Sequence, residues 1–160
     1  RYPDLIGTPV VREGDVIVAG FSEPLVSLDM QSRNVRWRVE AGGVQAPLLD
    51  GRQVYHGGSD SKLRKIDAVT GSVVWTWECE AGGTLGGPIK TEAGSLVAAS
   101  EGSVYLIDDA DGAERWVYRP GHHLDGITAG MATDGRQTVI VTNAGKVISL
   151  IVPSARSRDD

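Results

Sequence analysis

Residues Lys65-Ile66-Asp67-Ala68-Val69-Thr70-Gly71-Ser72-Val73-Val74-Trp75 decide how this chain folds. They read as two short strands joined by a tight reversal at Thr70-Gly71, with an Asp able to bond the N–H groups of the turn. The same frame recurs on either side. Trp37, Trp75 and Trp116 lie 38 and 41 residues apart, and Asp29, Asp67 and Asp108 keep the same spacings. So do Pro9, Pro47 and Pro88, and each Asp precedes its Trp by eight residues. Three residue types in one register, three times, mark an internal repeat of about forty residues.

Each period divides into four short strands. The first carries the proline, as in Gly7-Thr8-Pro9-Val10-Val11, and a glycine turn follows at Gly14, Gly51 or Gly94. The second and third are β-branched or apolar, for example Val16-Ile17-Val18-Ala19 and Leu25-Val26-Ser27-Leu28. The fourth carries the tryptophan. Four strands in about forty residues is the blade of a β-propeller, so the chain is predicted to be all-β with four antiparallel blades. Repeats are expected over 1–152, with blades near 7–41, 44–81, 86–120 and 126–152 and a polar tail at 153–160. The last period is short: Ile151 stands in place of the aspartate and no tryptophan follows. Fifteen strands result, and Arg1 to Ile6 could supply a sixteenth or be the remnant of a preceding blade.

Composition agrees. Gly makes up 21 of 160 residues, close to twice the usual ~7%, which disfavours a helical bundle. The length allows one domain with a single core. No apolar run approaches the ~20 residues of a membrane span. The net charge of −5 without a basic run argues against nucleic acid as a partner. The single Cys79 excludes an internal disulfide and a cysteine zinc cage. The chain opens on Arg1 rather than Met, so it is expected to be a processed product or a piece of a longer protein.

The Lys65–Trp75 window resembles the repeat of the pyrroloquinoline-quinone-type (PQQ-like) propellers, which runs Ala-x-Asp-x-x-Thr-Gly-x-x-x-Trp. Leu106 through Trp116 matches it at Asp108, Gly112 and Trp116, while the Asp29–Trp37 window has Ser32-Arg33 in place of Thr-Gly. The Gly7-to-Val11 strand and the final blade lacking its last strand are similar to the BamB outer-membrane assembly lipoprotein family. That resemblance implies a non-enzymatic scaffold for protein or peptide partners, in the periplasm or at the outer membrane. A partner-sensing domain of a larger signalling protein, with a cytoplasmic location as an alternative, is the second reading. A fragment of a quinone-dependent dehydrogenase is the remote one, because the adjacent Cys pair of many alcohol-oxidising members is absent. Family rings usually have seven or eight blades. Four regular blades therefore favour half of a larger ring over a closed small one, with open blade faces that could self-associate.

No catalytic, cofactor or metal site is predicted. His122 and His123 are adjacent, so on a strand they point to opposite faces and grip no common ion. Asp108 to Gly112 looks like a calcium loop but lacks the closing acid. Gly82 to Gly87 has no Lys-Ser/Thr ending and is read as a connection. Asp29, Trp37, Asp67, Thr70, Gly71, Trp75, Asp108, Gly112 and Trp116 are assigned to the repeat itself. The partner surface is expected on the face where loops between second and third strands meet the blade-to-blade connections. It would gather Phe21, Glu23, Ser59, Asp60, Glu101 and Asn143 from the loops, and Gln45, Leu85, His122, His123 and Leu124 from the connections.

Overall fold

Short β-branched runs broken by glycine turns fold as fifteen strands, and no helix occurs among the described residues. The computed structural model describes residues 7–119, 126–128 and 130–153. The first sheet holds β1 (Val10–Arg12), β2 (Asp15–Val18), β3 (Leu25–Asp29) and β4 (Val35–Val39). The second holds β5 (Leu48–Asp50), β6 (Gln53–Gly57), β7 (Lys62–Asp67) and β8 (Val73–Glu78). β9 (Ile89–Thr91), β10 (Gly94–Ala98), β11 (Val104–Ile107) and β12 (Glu114–Tyr118) make the third. β13 (Ala132–Thr133), β14 (Gln137–Val141) and β15 (Val147–Ile151) make a three-stranded fourth. Every sheet is an antiparallel meander in chain order, which is the blade architecture of a β-propeller.

The prolines lie just ahead of the strands rather than inside them. Pro9, Pro47 and Pro88 precede β1, β5 and β9, because a residue without an N–H cannot donate to the ladder.

Strand pairing puts equivalent residues in one register. Val10 faces Ile17, Leu48 faces Tyr55, Ile89 faces Leu96 and Ala132 faces Val139. Side chains alternate between sheet faces, so each blade has one face toward the preceding blade and one toward the next. Three hydrophobic clusters fill the three junctions. Ile17, Leu25 and Trp37 of blade 1 meet Val54, Ile66 and Ala68 of blade 2. Tyr55, Leu63 and Trp77 meet Val97, Tyr105 and Ile107 of blade 3. Leu96, Ala98 and Val104 then meet Ile140, Leu150 and Val152 of blade 4. In the first three blades the outer strand pair also slips register at one place, between Ser27 and Leu28, Lys65 and Ile66, and Leu106 and Ile107. Such a bulge adds twist, which splays the blade edge.

The Asp turn works as its residues suggest. Asp67 Oδ1 accepts from the backbone N–H of Val69 and of Thr70, both at 2.9 Å, and Asp29 does the same for Gln31 and Ser32. The second oxygen of each Asp takes an arginine: Arg36 on Asp29, Arg52 on Asp67 and Arg115 on Asp108. Trp37 donates its indole N–H to Ala68 O at 2.9 Å, and Trp75 donates to Asp109 O at 3.2 Å. Each indole therefore clamps its blade to the turn of the next. Trp116 packs against the third junction beside Tyr118. In blade 4, Ile151 pairs with Gln137 just as Asp67 pairs with Gln53, so an isoleucine does occupy the Asp position. Arg1 to Ile6, the expected source of a sixteenth strand, lie outside the described residues.

Candidate partner-binding face

The loops between second and third strands and the blade connections do converge, and backbone hydrogen bonds stitch them together. Gly43 N–H donates to Gly20 O (2.9 Å), Ser59 N–H to Gly42 O (2.8 Å) and Leu85 N–H to Gly58 O (3.0 Å). Ser100 N–H donates to Thr84 O (2.9 Å) and Asn143 N–H to Gly126 O (2.8 Å). Side chains add to the seam. Ser59 Oγ donates to Phe21 O at 3.0 Å, Ser61 Oγ to Gly83 O at 2.7 Å, and Gln45 Nε2 to Thr128 O at 3.2 Å. Glycines permit this closeness: a Cβ on Gly42 or Gly57 would strike the carbonyl oxygen of Phe21 or Gly86.

The candidate residues separate into three groups on this face. Phe21 is 46% exposed at a loop tip, with Glu23 half-buried beside it. Several others are occupied internally. Asp60 is held by both guanidinium nitrogens of Arg64; burial pushes its carboxyl up, but Arg64 outweighs that and keeps it below the ordinary range. Glu101 accepts from Ser103 N–H and Oγ–H, each at 2.8 Å, and from the Tyr105 hydroxyl at 2.9 Å. Burial, then the neighbouring Cys79 thiol and Glu101, push the Tyr105 phenol well above its usual range. Asn143 Oδ1 accepts from Thr128 Oγ1 at 2.7 Å.

Leu85 corrects the expectation. It is fully buried, bridges to Ala99 and packs among Tyr55, Leu63 and Trp77, so it belongs to the second junction and not to the surface. His122, His123 and Leu124 lie outside the described residues.

Sequence reasoning had no reason to single out His56. It is fully buried beneath the first connection, with Nε2 3.1 Å from Ala41 O and Nδ1 without a hydrogen-bond partner. Burial lowers its pKa below the ordinary value. Gly43 must be glycine here, since a Cβ would come within 2.5 Å of the imidazole Cε1. The cue was only its place in the second strand, where Val18 and Val97 occupy the equivalent positions.

The family described as outer membrane protein assembly factor BamB matches residues 1–77 and again 57–157. The chain belongs to this family. It is 28% identical over 151 residues to the outer membrane protein assembly factor BamB of Escherichia coli K12, covering 94% of this chain and 38% of that protein. It thus spans about two fifths of the length of the curated BamB relatives it matches. The crystal structure of BamB from Moraxella catarrhalis superposes with a TM-score of 0.76 at 19% identity, over 93% of this chain and 47% of that one. A quinohemoprotein alcohol dehydrogenase from Comamonas testosteroni shares the fold, with a TM-score of 0.72 at 18% identity and 29% of its length covered. The curated relatives are thus named for assembly, and the likeness to the dehydrogenase is one of fold.

Proposed function

We propose that this chain is a non-enzymatic propeller scaffold that presents the stitched loop face to a protein or peptide partner, in a BamB-like role in outer-membrane protein assembly. On this reading it works on the periplasmic side of the outer membrane. The carrying observation is the loop face itself: its backbone is fixed by inter-loop hydrogen bonds while Phe21 stands exposed upon it. A rigid frame with an exposed aromatic anchor is how interfaces concentrate binding energy. The assembly-factor names of relatives matched along most of the chain supply the partner class. The non-enzymatic reading is supported by the lone, buried Cys79, which offers neither the adjacent Cys pair of quinone enzymes nor an accessible thiolate.

Photo-crosslinking tests this. A photoreactive phenylalanine analogue at position 21, in the chain directed to the periplasm of a Gram-negative host, is expected to label a component of the outer-membrane assembly machinery. Phe21→Ser should weaken capture of that component. Labelling confined to unrelated soluble proteins, or capture unchanged by Phe21→Ser, would overturn the proposal.

A further inference from the structure

The outer strand of blade 2 differs from its equivalents in charge. β4 places Arg36 and Arg38 among its apolar residues, and β12 opens on Glu114 and Arg115. In β8, Val73 to Trp77 carry no charge at all. Charged side chains on an edge strand discourage another chain from pairing with it, so β4 and β12 are guarded and β8 is not. Its uncharged run meets solvent: Val73 is 45% and Val74 53% exposed, and Thr76 is exposed as well. Blade 2 has described neighbours on both sides, and its outer strand pairs only with β7.

The arginine missing from β8 stands elsewhere in the blade. Arg36 and Arg115 each occupy the bulge of their strand and reach back to the turn carboxylate, Asp29 or Asp108. In blade 2 the bulge residue is Val74, and Asp67 is held instead by Arg52 at 2.7 Å, from the turn between β5 and β6. The turn keeps its ion pair while the outer strand loses its charge.

Main-chain groups on this edge are unpaired. Cys79 N–H donates inward to Ser61 O at 2.9 Å, and the register continues as Leu63 with Trp77 and Lys65 with Trp75. Alternate residues of an antiparallel ladder bond inward, so Thr76 and Glu78 turn their N–H and C=O groups outward. No described strand lies there to receive them.

We propose that the outer edge of β8 takes an extended segment of a partner protein as a further antiparallel strand, a segment of alternating apolar residues that begins with Lys or Arg. The unpaired main-chain groups call for a strand, and the uncharged run around Val74 and Thr76 for apolar side chains. Charge sets the start of the segment. An antiparallel strand begins beside Glu78 and the exposed Glu80, and Lys62, 3.3 Å from Glu78, offsets only one of the two. A second copy of this chain fits less well, because two antiparallel β8 strands would set each Glu78 across from Val73 or Val74. This edge lies on the rim, apart from the loop face, and does not depend on the proposed function.

Fluorescence anisotropy of the 160-residue chain with a labelled peptide, Lys-Arg followed by alternating Val and Thr, tests the proposal. The wild type is expected to bind it saturably. Thr76→Pro removes only an N–H that points outward, so the inner ladder stays and affinity should fall about tenfold or more. Val74→Arg, which restores the charge found in β4, should weaken binding by a similar factor with circular dichroism and melting temperature unchanged. Glu78→Lys should shift the preference to the same peptide begun with Asp-Glu. Phe21→Ser should leave peptide binding as it is, which separates this edge from the loop face. A peptide that the wild type ignores, or binding that survives either Thr76→Pro or Val74→Arg, would overturn the proposal. So would loss of binding on Phe21→Ser, or light scattering that shows a dimer dissociated by Val74→Arg, since a second copy would then hold the edge.

Discussion

The indole of Trp37 lies directly on Gly71, 34 positions further along the chain and in the next blade, where a methyl group would come within 2.6 Å of ring Cγ. Together with the bond from the indole N–H to Ala68 O, this makes the glycine of the turn a requirement of the neighbouring blade as well as of its own backbone.

Gly71→Ala should therefore cost more than left-handed strain alone. Strain contributes about 1–2 kcal/mol and forced overpacking about 1–3 kcal/mol more. Gly14→Ala is the control, with φ +88° and nothing within 4 Å of the added methyl. Urea denaturation should show the first substitution losing clearly more stability than the second; equal losses would refute the steric account.

Arg33, at φ +61°, takes the left-handed conformation of Gly71 (φ +73°) with a side chain. Arg33→Gly should stabilise the isolated chain by roughly 1 kcal/mol, the relief of strain being partly offset by unfolded-state entropy. A lower denaturation midpoint for this variant would show that the side chain has a stabilising contact of its own.

Leu85→Ser should be severely destabilising, by about 3–5 kcal/mol, because it opens a cavity and buries a hydroxyl. Phe21→Ser, at an exposed loop tip, should change stability by less than about 0.5 kcal/mol. Thermal melts of the pair separate a junction residue from a surface one.

His56 predicts a pH dependence near neutrality. Its folded pKa lies below the ordinary 6.5, since burial disfavours the cation and Arg64 nearby adds to this, against the opposing effects of the Ala41 and Gly42 backbone and of Asp60. The unfolded chain then binds the proton more readily, so stability is full above about pH 6.5 and falls as pH drops below it. His56→Gln should flatten that part of the curve.

A second acid limb comes from Asp67, held at about 2 by the Thr70 backbone N–H first and by Arg52 next. A depressed carboxylate stabilises the fold above its unfolded value of 3.8 and loses that contribution as pH falls toward 2. Asp67→Asn should shrink this limb, to which the likewise lowered Asp29, Asp108 and Asp134 also contribute, and leave the His56 limb in place.

Most of the architecture was legible because the repeat writes it three times. Pro, Asp and Trp at matched spacing place the strands, and the Asp turns form where the residues said they would. What was hidden depends on the neighbouring blade. Leu85 sits in a glycine-rich connection that reads as surface, and only the approach of Ala99 and Gly58 buries it. The Asp–Arg pairs follow no common spacing: Arg36 and Arg115 lie seven residues after their Asp, while Arg52 lies fifteen before. Glu101, Asp60 and Asn143 looked available as polar loop residues, but their partners Tyr105, Arg64 and Thr128 are set by the fold.

The seam across the loop face is made largely by main-chain groups, and this governs which substitutions it tolerates. Peptide N–H and C=O groups survive nearly every substitution, so most side chains above the seam can change without loosening the frame beneath. Glycines 42, 43, 57 and 126 are exceptions, since there the seam itself has no room for a side chain. Phe21 and its neighbours can therefore be exchanged without disturbing the backbone that carries them, whereas a side chain at those glycines would push the seam apart.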